Sequence, residues 1–164
     1  MKLAAKTRAV AIRQATADDA SAIAALLLEA FFEFEALYTP EAFDATTLDA
    51  ARISRRMHEG PVWVAVHENE VVGTAAATNR GNALYIRGMG VLPRQRSLGV
   101  ATALLRTAEQ FAIESGCRRL LLSTTPFLRS AIRLYEQYGF RRSSEGPTDL
   151  FGTPLFSMTK ELQP

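Results

Sequence analysis

The sequence predicts a single-domain α/β fold, in which a central mixed and mostly antiparallel sheet of about six to seven strands is flanked by about four helices. Three observations lead to this fold class. The chain has 164 residues, of which 48% are hydrophobic and 22% charged, and this suits one domain over residues 1–164 with one core. Apolar residues recur at helical spacing in some segments and in short strand-like runs in others. Turn-forming residues separate the segments, and no repeat or low-complexity linker divides the chain.

The N-terminal segment is predicted to form a strand and an amphipathic helix. Residues 10–13 have the pattern of a short strand. Thr16 and Asp19 resemble a capping box with Asp in place of the usual Glu, so the helix should begin near Thr16. Apolar residues at helical spacing follow at Ile23, Leu26, Leu27, Ala30, Phe31 and Phe34.

A weaker helix and a β-hairpin are expected next. The polar stretch around residues 38–40 should break the first helix, and a second helix should cover residues 48–58 and stop before a Gly-Pro pair. Residues 62–66 and 71–78 are strand-like and flank a tight turn at residues 68–69, which predicts a hairpin.

The middle of the chain reads as a strand–helix–strand unit. Residues 83–91 are predicted as a strand that follows a turn at residues 79–82 and ends at Pro93. Helical spacing then recurs at Ala101, Leu104, Leu105, Ala108 and Ala112. Gly116 should close this helix, and the unit over residues 83–122 should be parallel and right-handed.

The C-terminal segment is predicted to add one more helix and three strands. The continuous apolar run at residues 120–122 is typical of a strand buried on both faces. The Thr-Pro pair at residues 125–126 suits a helix start with Thr at the cap, and this helix should end at Gly139. Residues 140–143 and 155–159 should form a closing pair of strands.

Composition excludes several classes of protein. Cys117 is the single cysteine, which excludes an internal disulfide and a cysteine-based zinc cluster and fits a reducing compartment. His58 and His67 are too scattered to indicate a metal site, and a net charge of +2 says little about nucleic acid. No apolar run approaches the roughly 18 residues that span a membrane, and residues 1–8 are too poor in apolar residues for a signal peptide. We therefore expect a cytoplasmic protein without a metal or a membrane partner.

The turn at residues 91–102 carries the clearest indication of chemistry. A strand runs there into small residues, and a helix begins. Gly99 lets a ligand approach the backbone, the first N–H groups of a helix bind phosphate, and Arg94 and Arg96 add positive charge. The turn is not a P-loop, and it has one of the three glycines of a dinucleotide fingerprint. Taken alone, it is equally explained by plain packing of small residues.

Two motifs together resemble a known family. Arg96-x-x-Gly99-x-Ala101 resembles the Arg/Gln-x-x-Gly-x-Gly/Ala signature of the GCN5-related N-acetyltransferase (GNAT) superfamily. Residues 131–140 resemble its second motif, Ala-x-x-Leu-Tyr-x-x-x-Gly-Phe. The motifs are independent of one another and lie in the matching order of strands and helices, so they are specific as a pair.

The resemblance implies a GNAT-like fold with splayed central strands and an N-acetyltransferase that moves an acetyl group from acetyl-CoA to a primary amine. The amine should attack directly in a ternary complex, because no Ser-His-Asp or Cys-His set indicates an acyl-enzyme. The signature turn is expected to hold the pyrophosphate, and the strand before it the pantetheine arm. The implied acetyl-CoA-binding residues are Met89, Gly90, Val91, Arg94, Arg96, Ser97, Leu98, Gly99, Val100, Ala101, Thr102, Ala131 and Leu134.

The sequence departs from the family pattern at two positions. Ser97 replaces a common glycine, where a small hydroxyl residue should fit and can contact phosphate. Leu128 stands where many members carry an asparagine that reaches the cofactor. Within the predicted strand at residues 83–91, Gly88 and Gly90 should weaken regular pairing, which favours a β-bulge there.

The resemblance also suggests catalytic residues. Tyr135 matches the family tyrosine that protonates the leaving thiolate, and a phenol with a reference pKa near 10 suits that task; the alternative is packing alone. Many relatives place a glutamate as base on the strand before the turn, but residues 83–89 contain no acid. Glu33 and Glu35 are the nearest carboxylates by family topology. Glu33 is therefore the candidate base. The alternatives are that water relays the proton, or that Glu33 and Glu35 are only solvent-exposed residues at a helix end.

The acceptor side is expected at residues 33–43. This segment combines carboxylates with Phe34, Tyr38 and Phe43, and rings and acids both attract cations. We therefore expect a cationic or amphipathic amine, as a small molecule or a peptide, bound by Phe34 and Tyr38. Core packing or a homodimer surface are the alternatives for these rings.

Two other functions remain open at this stage. One is an acyl-CoA-binding sensor of the same fold, which the missing strand glutamate favours. The other is association with RNA through the basic C-terminal half, which contains Arg118, Arg119, Arg129, Arg133, Arg141 and Arg142. No aromatic residues interleave with these arginines as in a single-strand platform, so no nucleic-acid partner is expected.

Overall fold

The computed structural model describes residues 10–163, and a seven-stranded sheet with helices on both faces forms its centre. The nine strands, β1 to β9, span Ala11–Gln14, Val62–His67, Glu70–Arg80, Ala83–Val91, Arg119–Thr124, Arg141–Ser143, Asp149–Leu150, Thr153–Pro154 and Phe156–Glu161. The five α-helices, α1 to α5, span Ala20–Phe31, Pro40–Thr46, Ala50–Arg56, Val100–Glu114 and Arg129–Tyr138. The expectation of no signal peptide, which rests on residues 1–8, lies outside the described residues.

The sheet confirms the predicted fold class. Its strand order is β1-β2-β3-β4-β5-β9-β6, and β7 and β8 form a separate two-stranded sheet. Every neighbouring pair is antiparallel except β4 and β5, which are parallel as the strand–helix–strand pattern predicts. The predicted hairpin is β2–β3, where Glu68 and Asn69 both have positive φ, of 49° and 63°. Positive φ at both central residues is the turn that matches the twist of paired strands.

Two glycines let helices approach opposite faces of the sheet. Gly73 of β3 leaves room for Val100 and Leu104 of α4. Gly73 pairs with Val91, so Gly90, the residue next to Val91, faces the other side of the sheet. There Gly90 leaves room for Leu27 of α1. The core therefore lies in two layers, one on each side of β3 and β4.

A small ionic cluster fixes the junction between β1 and α1. The Asp19 carboxylate accepts two hydrogen bonds from the Arg13 guanidinium, at 2.7 and 2.9 Å, and a third from the Thr16 backbone N–H at 2.7 Å. The predicted link between Thr16 and Asp19 is thus present, and a short 3₁₀ turn, Ala17–Asp19, precedes the helix. The Arg13 guanidinium and these hydrogen bonds lower the pKa of Asp19 from 3.8 to about 2.

Three helix boundaries predicted from the sequence are wrong. After α1 the chain continues as a 3₁₀ helix, Phe32–Leu37, and then forms α2, which was expected to be a break. Thr39 caps α2 by accepting from the Ala42 N–H at 3.2 Å, so the following proline begins a helix. The next helix, α3, is shorter than residues 48–58 because its cap is Asp49, which accepts from the Arg52 N–H.

The start of α5 also differs from the prediction. Thr125 is buried and lies in a turn, where its carbonyl accepts from the Leu128 N–H at 3.2 Å, and the helix begins at Arg129. A Thr-Pro pair marks both an N-cap and a turn, and here the turn forms. The helix ends at Gly139, with φ of 111°, as expected.

The Asp19 cluster should make stability depend on pH. Asp19→Asn should lower the free energy of unfolding at pH 7 by about 1–2 kcal/mol, because it removes a bidentate ion pair and a cap. The folded-state pKa is depressed, so this contribution is fully present above pH 4 and is lost as pH falls towards about 2. Urea unfolding between pH 7 and pH 2 measures the difference.

Asp18→Asn is the matched control, because Asp18 is the exposed neighbour in the same turn. It should unfold like the wild type at every pH. If the difference in free energy of unfolding between the wild type and Asp19→Asn stays constant down to pH 2, the Asp19 carboxylate is not the source of the pH dependence.

Candidate active site

The sheet opens between β4 and β5. Their parallel pairing runs from Ala83 opposite Arg119 to Ile86 opposite Leu122 and then stops, although β4 continues to Val91. Beyond Ile86, the β4 edge that faces β5 has no strand partner in the described chain. An edge of this kind offers backbone donors and acceptors to an extended ligand.

A β-bulge in β4 accompanies this opening. The β3 partners Ala76 and Thr74 are two residues apart, whereas their β4 partners Arg87 and Gly90 are three apart. The additional residue lies at Gly88 and Met89, and Gly88 has φ of 60°. The bulge expected from Gly88 and Gly90 is therefore confirmed.

The α4 start presents a row of free backbone N–H groups. The first intrahelical bond of α4 runs from the Ala103 N–H to the Gly99 carbonyl, at 3.0 Å. No acceptor among the described residues pairs with the N–H groups of residues 97–102. Gly99 has φ of 78°, and the space beside it is open. These groups and the positive end of the helix dipole suit an anion such as a pyrophosphate.

Ser97 adopts an unusual backbone conformation in this turn. Its φ is 69°, in the left-handed region that favours glycine. This accounts for the glycine that the family signature commonly has at this position.

The two arginines of the turn are paired with glutamates. Arg94 contacts Glu29 of α1, at 3.2 Å, and Glu70 of β3. Arg96 pairs with Glu33 and also donates to the Ala30 carbonyl at 2.8 Å. All these side chains are substantially exposed, and exposed pairs are worth about 0–1 kcal/mol, so an incoming phosphate can displace the carboxylates.

Tyr135 lies on α5, the helix that follows β5. It is buried on α5 and packs edge-to-face on Phe140, with ring centroids 5.9 Å apart. Burial, together with the nearby Tyr38 phenol, raises the pKa of Tyr135 well above 10, so its hydroxyl keeps its proton at neutral pH. Ala131 and Leu134, expected at the cofactor, are half-buried on the same helix.

The rings expected at the acceptor pack on one another. Tyr38 is buried, and its ring lies 6.5 Å from Phe31, 6.0 Å from Phe43 and 4.9 Å from Phe127. Phe34 also packs on Phe127, at 6.2 Å. Phe127, from the turn before α5, joins this cluster across the sheet opening, which sequence reasoning missed. Phe34 and Tyr38 as acceptor-binding residues stay a prediction.

Glu33 and Glu35, the carboxylates expected near the acceptor, are exposed on the 3₁₀ helix after α1. Glu33 pairs with Arg96, and its role as base stays a prediction.

A basic cluster at the bulge was also missed. Arg56, the last residue of α3, places its guanidinium against Gly88, and Arg87 pairs with Glu59. A single arginine at the end of a weak helix gives no local signal of such a position.

The chain belongs to the acetyltransferase (GNAT) family, whose model matches residues 22–140. The predicted superfamily is therefore confirmed. The description of this family as acetyltransferases agrees with the enzyme class predicted from the sequence.

Curated relatives include the N-acetylaspartate synthetase of Danio rerio, 40% identical over 85 residues, which are 51% of this chain and 30% of that protein. N-acetyltransferase 8B of Homo sapiens is 36% identical over 89 residues, or 51% of this chain and 39% of that protein. The chain thus spans about a third of the length of these two relatives.

Solved structures share the fold. The PaiA N-acetyltransferase of Thermoplasma acidophilum, in complex with coenzyme A, superposes with a TM-score of 0.81 at 14% identity, covering 94% of this chain and all of that one. The yncA structure from Salmonella typhimurium with acetyl-CoA gives 0.71 at 22% identity, covering 95% of each chain.

Two negative findings concern residues 10–163. No cluster of three or more His, Cys, Asp or Glu side chains is placed to hold a metal ion. No helix there has the length and apolar character needed to cross a bilayer.

The backbone of Ser97 gives a stability prediction. Ser97→Gly should raise the free energy of unfolding by about 1 kcal/mol, because glycine adopts the left-handed conformation without strain. Ser130→Gly is the matched control; Ser130 is an exposed serine in the first turn of α5, where glycine should instead destabilise. Thermal or urea unfolding of both variants checks the pair, and destabilisation by Ser97→Gly would contradict the strain.

Proposed function

We propose that the chain is an N-acetyltransferase that transfers the acetyl group of acetyl-CoA to a primary amine of a small molecule or peptide by direct attack in a ternary complex. The observation that carries this proposal is the row of unpartnered N–H groups at residues 97–102 beside the opening between β4 and β5. The names of the relatives, all N-acetyltransferases or an N-acetylaspartate synthetase, support an amine as the acceptor.

The cofactor-binding residues follow from this arrangement. Residues 97–102 would hold the pyrophosphate through backbone N–H groups, with Arg94 and Arg96 exchanging their glutamates for phosphate oxygens. The free edge of β4 at residues 89–91 would bind the pantetheine amides. Ala131 and Leu134 of α5 would line the other side of the opening.

The reaction needs two proton transfers. When acetyl-CoA is bound, its thioester supplies the activated acyl group. The amine nitrogen attacks the carbonyl carbon, a C–N bond forms, the C–S bond breaks, and the nitrogen loses a proton. Tyr135 would give its phenol proton to the thiolate sulfur. Its raised pKa keeps the phenol protonated at neutral pH, although a pKa above that of a thiol opposes the transfer itself.

The second proton transfer removes the proton of the amine. β4 carries no carboxylate, so a water molecule or Glu33 would accept the proton of the amine. Glu33 would first have to leave Arg96, and an Arg96 that turned to the pyrophosphate would release it.

A second candidate is a non-catalytic acyl-CoA sensor of the same fold. The absence of an acid on β4 favours it. A thiol-release assay with acetyl-CoA and a panel of amines distinguishes the enzyme from the sensor. A sensor would bind acetyl-CoA but would release no thiol with any of the amines.

The cofactor placement predicts the effect of a charge at Gly99. Gly99→Glu should weaken coenzyme A binding by more than about tenfold, or 1.4 kcal/mol, because its carboxylate would face the pyrophosphate. Gly116→Glu is the control, since Gly116 has φ of 76° and open surroundings at the far end of α4 and so imposes the same backbone strain. Calorimetry measures both. Equal affinities in two folded variants would place the cofactor elsewhere.

The role of Tyr135 predicts a loss of turnover without a loss of binding. Tyr135→Phe removes only the hydroxyl, so turnover should fall by about 10²-fold while acetyl-CoA affinity changes little. Tyr138→Phe on the same helix is the control; its hydroxyl donates to Glu109, outside the proposed site, and turnover should persist. Steady-state thiol release measures both variants. Unchanged turnover in Tyr135→Phe would leave Tyr135 a packing residue.

A further inference from the structure

We propose that the amine acceptor carries a carboxylate and that the guanidinium of Arg56 binds this carboxylate at the β4 bulge. The inference rests on the proposed N-acetyltransferase function and names the chemical class of its second substrate.

The position of Arg56 is the first observation. A side chain at Gly88 would occupy the space of the Arg56 guanidinium, whose Cζ lies 3.6 Å from where a Cβ would be. Gly88 belongs to the bulge that follows Ile86, the last β4 residue paired with β5. Arg56 therefore places a cation at the beginning of the sheet opening.

The charge balance around this cation is the second observation. Arg87 lies beside Arg56 and uses its own guanidinium on Glu59. Within the part of the chain that the structure describes, no oxygen hydrogen-bonds Arg56 and no carboxylate lies within salt-bridge distance of it. Two cations thus share one carboxylate, and the charge of Arg56 is left without a direct partner.

The environment keeps Arg56 charged. Burial, followed by the charge of Arg87, lowers its pKa to about 10, which still leaves the guanidinium protonated at neutral pH. The Nε of Arg87 is buried without an acceptor, whereas the Arg56 nitrogens are not buried in this way, so solvent reaches the Arg56 guanidinium. A partly buried cation without a partner is costly, and a ligand anion would relieve that cost.

A carboxylate fits this site by geometry and charge. The planar fork of a guanidinium matches the two oxygens of a carboxylate in a bidentate pair. The phosphates of the cofactor have a separate site at residues 97–102, at the start of α4. The cationic or amphipathic acceptor expected from the sequence rested on the carboxylates and rings of residues 33–43, and one of those carboxylates, Glu33, pairs with Arg96. A second positive charge on the amine would meet Arg56 and Arg87 unfavourably.

Matched substrates test the proposal in the full chain. Each of a panel of α-amino acids is compared with the amine that lacks its carboxylate, such as L-phenylalanine with 2-phenylethylamine and L-alanine with ethylamine, and phosphoethanolamine tests for a phosphate instead. The expected result is a kcat/KM about tenfold or more higher for a carboxylate-bearing member. Arg56→Met should bring that preference to within about twofold, mainly through the amino acid's KM, and Arg56→Lys should keep part of it.

Arg55→Met is the control, because Arg55 is the exposed neighbour of Arg56 on α3. It should retain the preference and the acetyl-CoA KM of the wild type. Circular dichroism and thermal unfolding establish that each Arg56 variant is folded, and Arg56→Lys supplies the comparison if Arg56→Met does not fold.

A binding measurement separates this inference from the proposed function. Calorimetry with coenzyme A present measures the affinity for the same amino acids without requiring turnover. Amino-acid binding that Arg56→Met abolishes, in a protein that acetylates no amine, would support the carboxylate site and overturn the enzyme. Amine acetylation that is indifferent to the carboxylate or to Arg56, or that prefers phosphoethanolamine, would overturn the site and leave the enzyme. No turnover and no amino-acid binding would overturn both.

Discussion

Hydrogen bonding between β4 and β5 stops at Ile86 and Leu122, and most of the candidate site depends on that interruption. The bulge at Gly88 turns β4 away, while β5 continues against β9 as far as Thr124. An unpaired strand edge inside a protein is costly unless water or a ligand meets its backbone groups. Of the two helices that follow these strands, α4 begins with free N–H groups and α5 carries Tyr135.

Charge pairing explains how the turn at residues 91–102 can be stable and still bind an anion. Without partners, Arg94 and Arg96 would repel each other and the positive end of the α4 dipole. Glutamates of α1, of β3 and of the 3₁₀ helix after α1 neutralise the two arginines. Because these pairs are exposed, they contribute little to stability and cost little to exchange. A pyrophosphate would therefore replace carboxylates in ion pairs that already exist, and the arginines are already close to the turn.

Features encoded locally could be predicted from the sequence. The spacing of Leu104 and Leu105 predicts α4, the Thr16–Asp19 pair predicts the start of the first helix, and the glycines at the bulge and turn predict where the backbone is irregular. The rest depends on contacts between distant segments. Whether a Thr-Pro pair caps a helix or forms a turn is decided by what surrounds it, and α2 and α5 resolve it differently. Phe127 and Arg56 become part of the site only through packing across the sheet.

The charges around residues 33–43 include contributions from distant elements of the fold. Glu33 and its neighbours make residues 33–43 look acidic, but the fold carries Glu33 to Arg96 and brings Arg56 to the bulge. An electrostatic site depends on all the elements that converge on it, so the sign of one segment does not fix the sign of the site. Gly88 contributes both to the bulge and to the position of Arg56. Its φ of 60° forms the bulge that parts the sheet, and its missing side chain gives Arg56 its place. The same residue thus lies at the bulge where the sheet opens and leaves space for the cation proposed to select the amine.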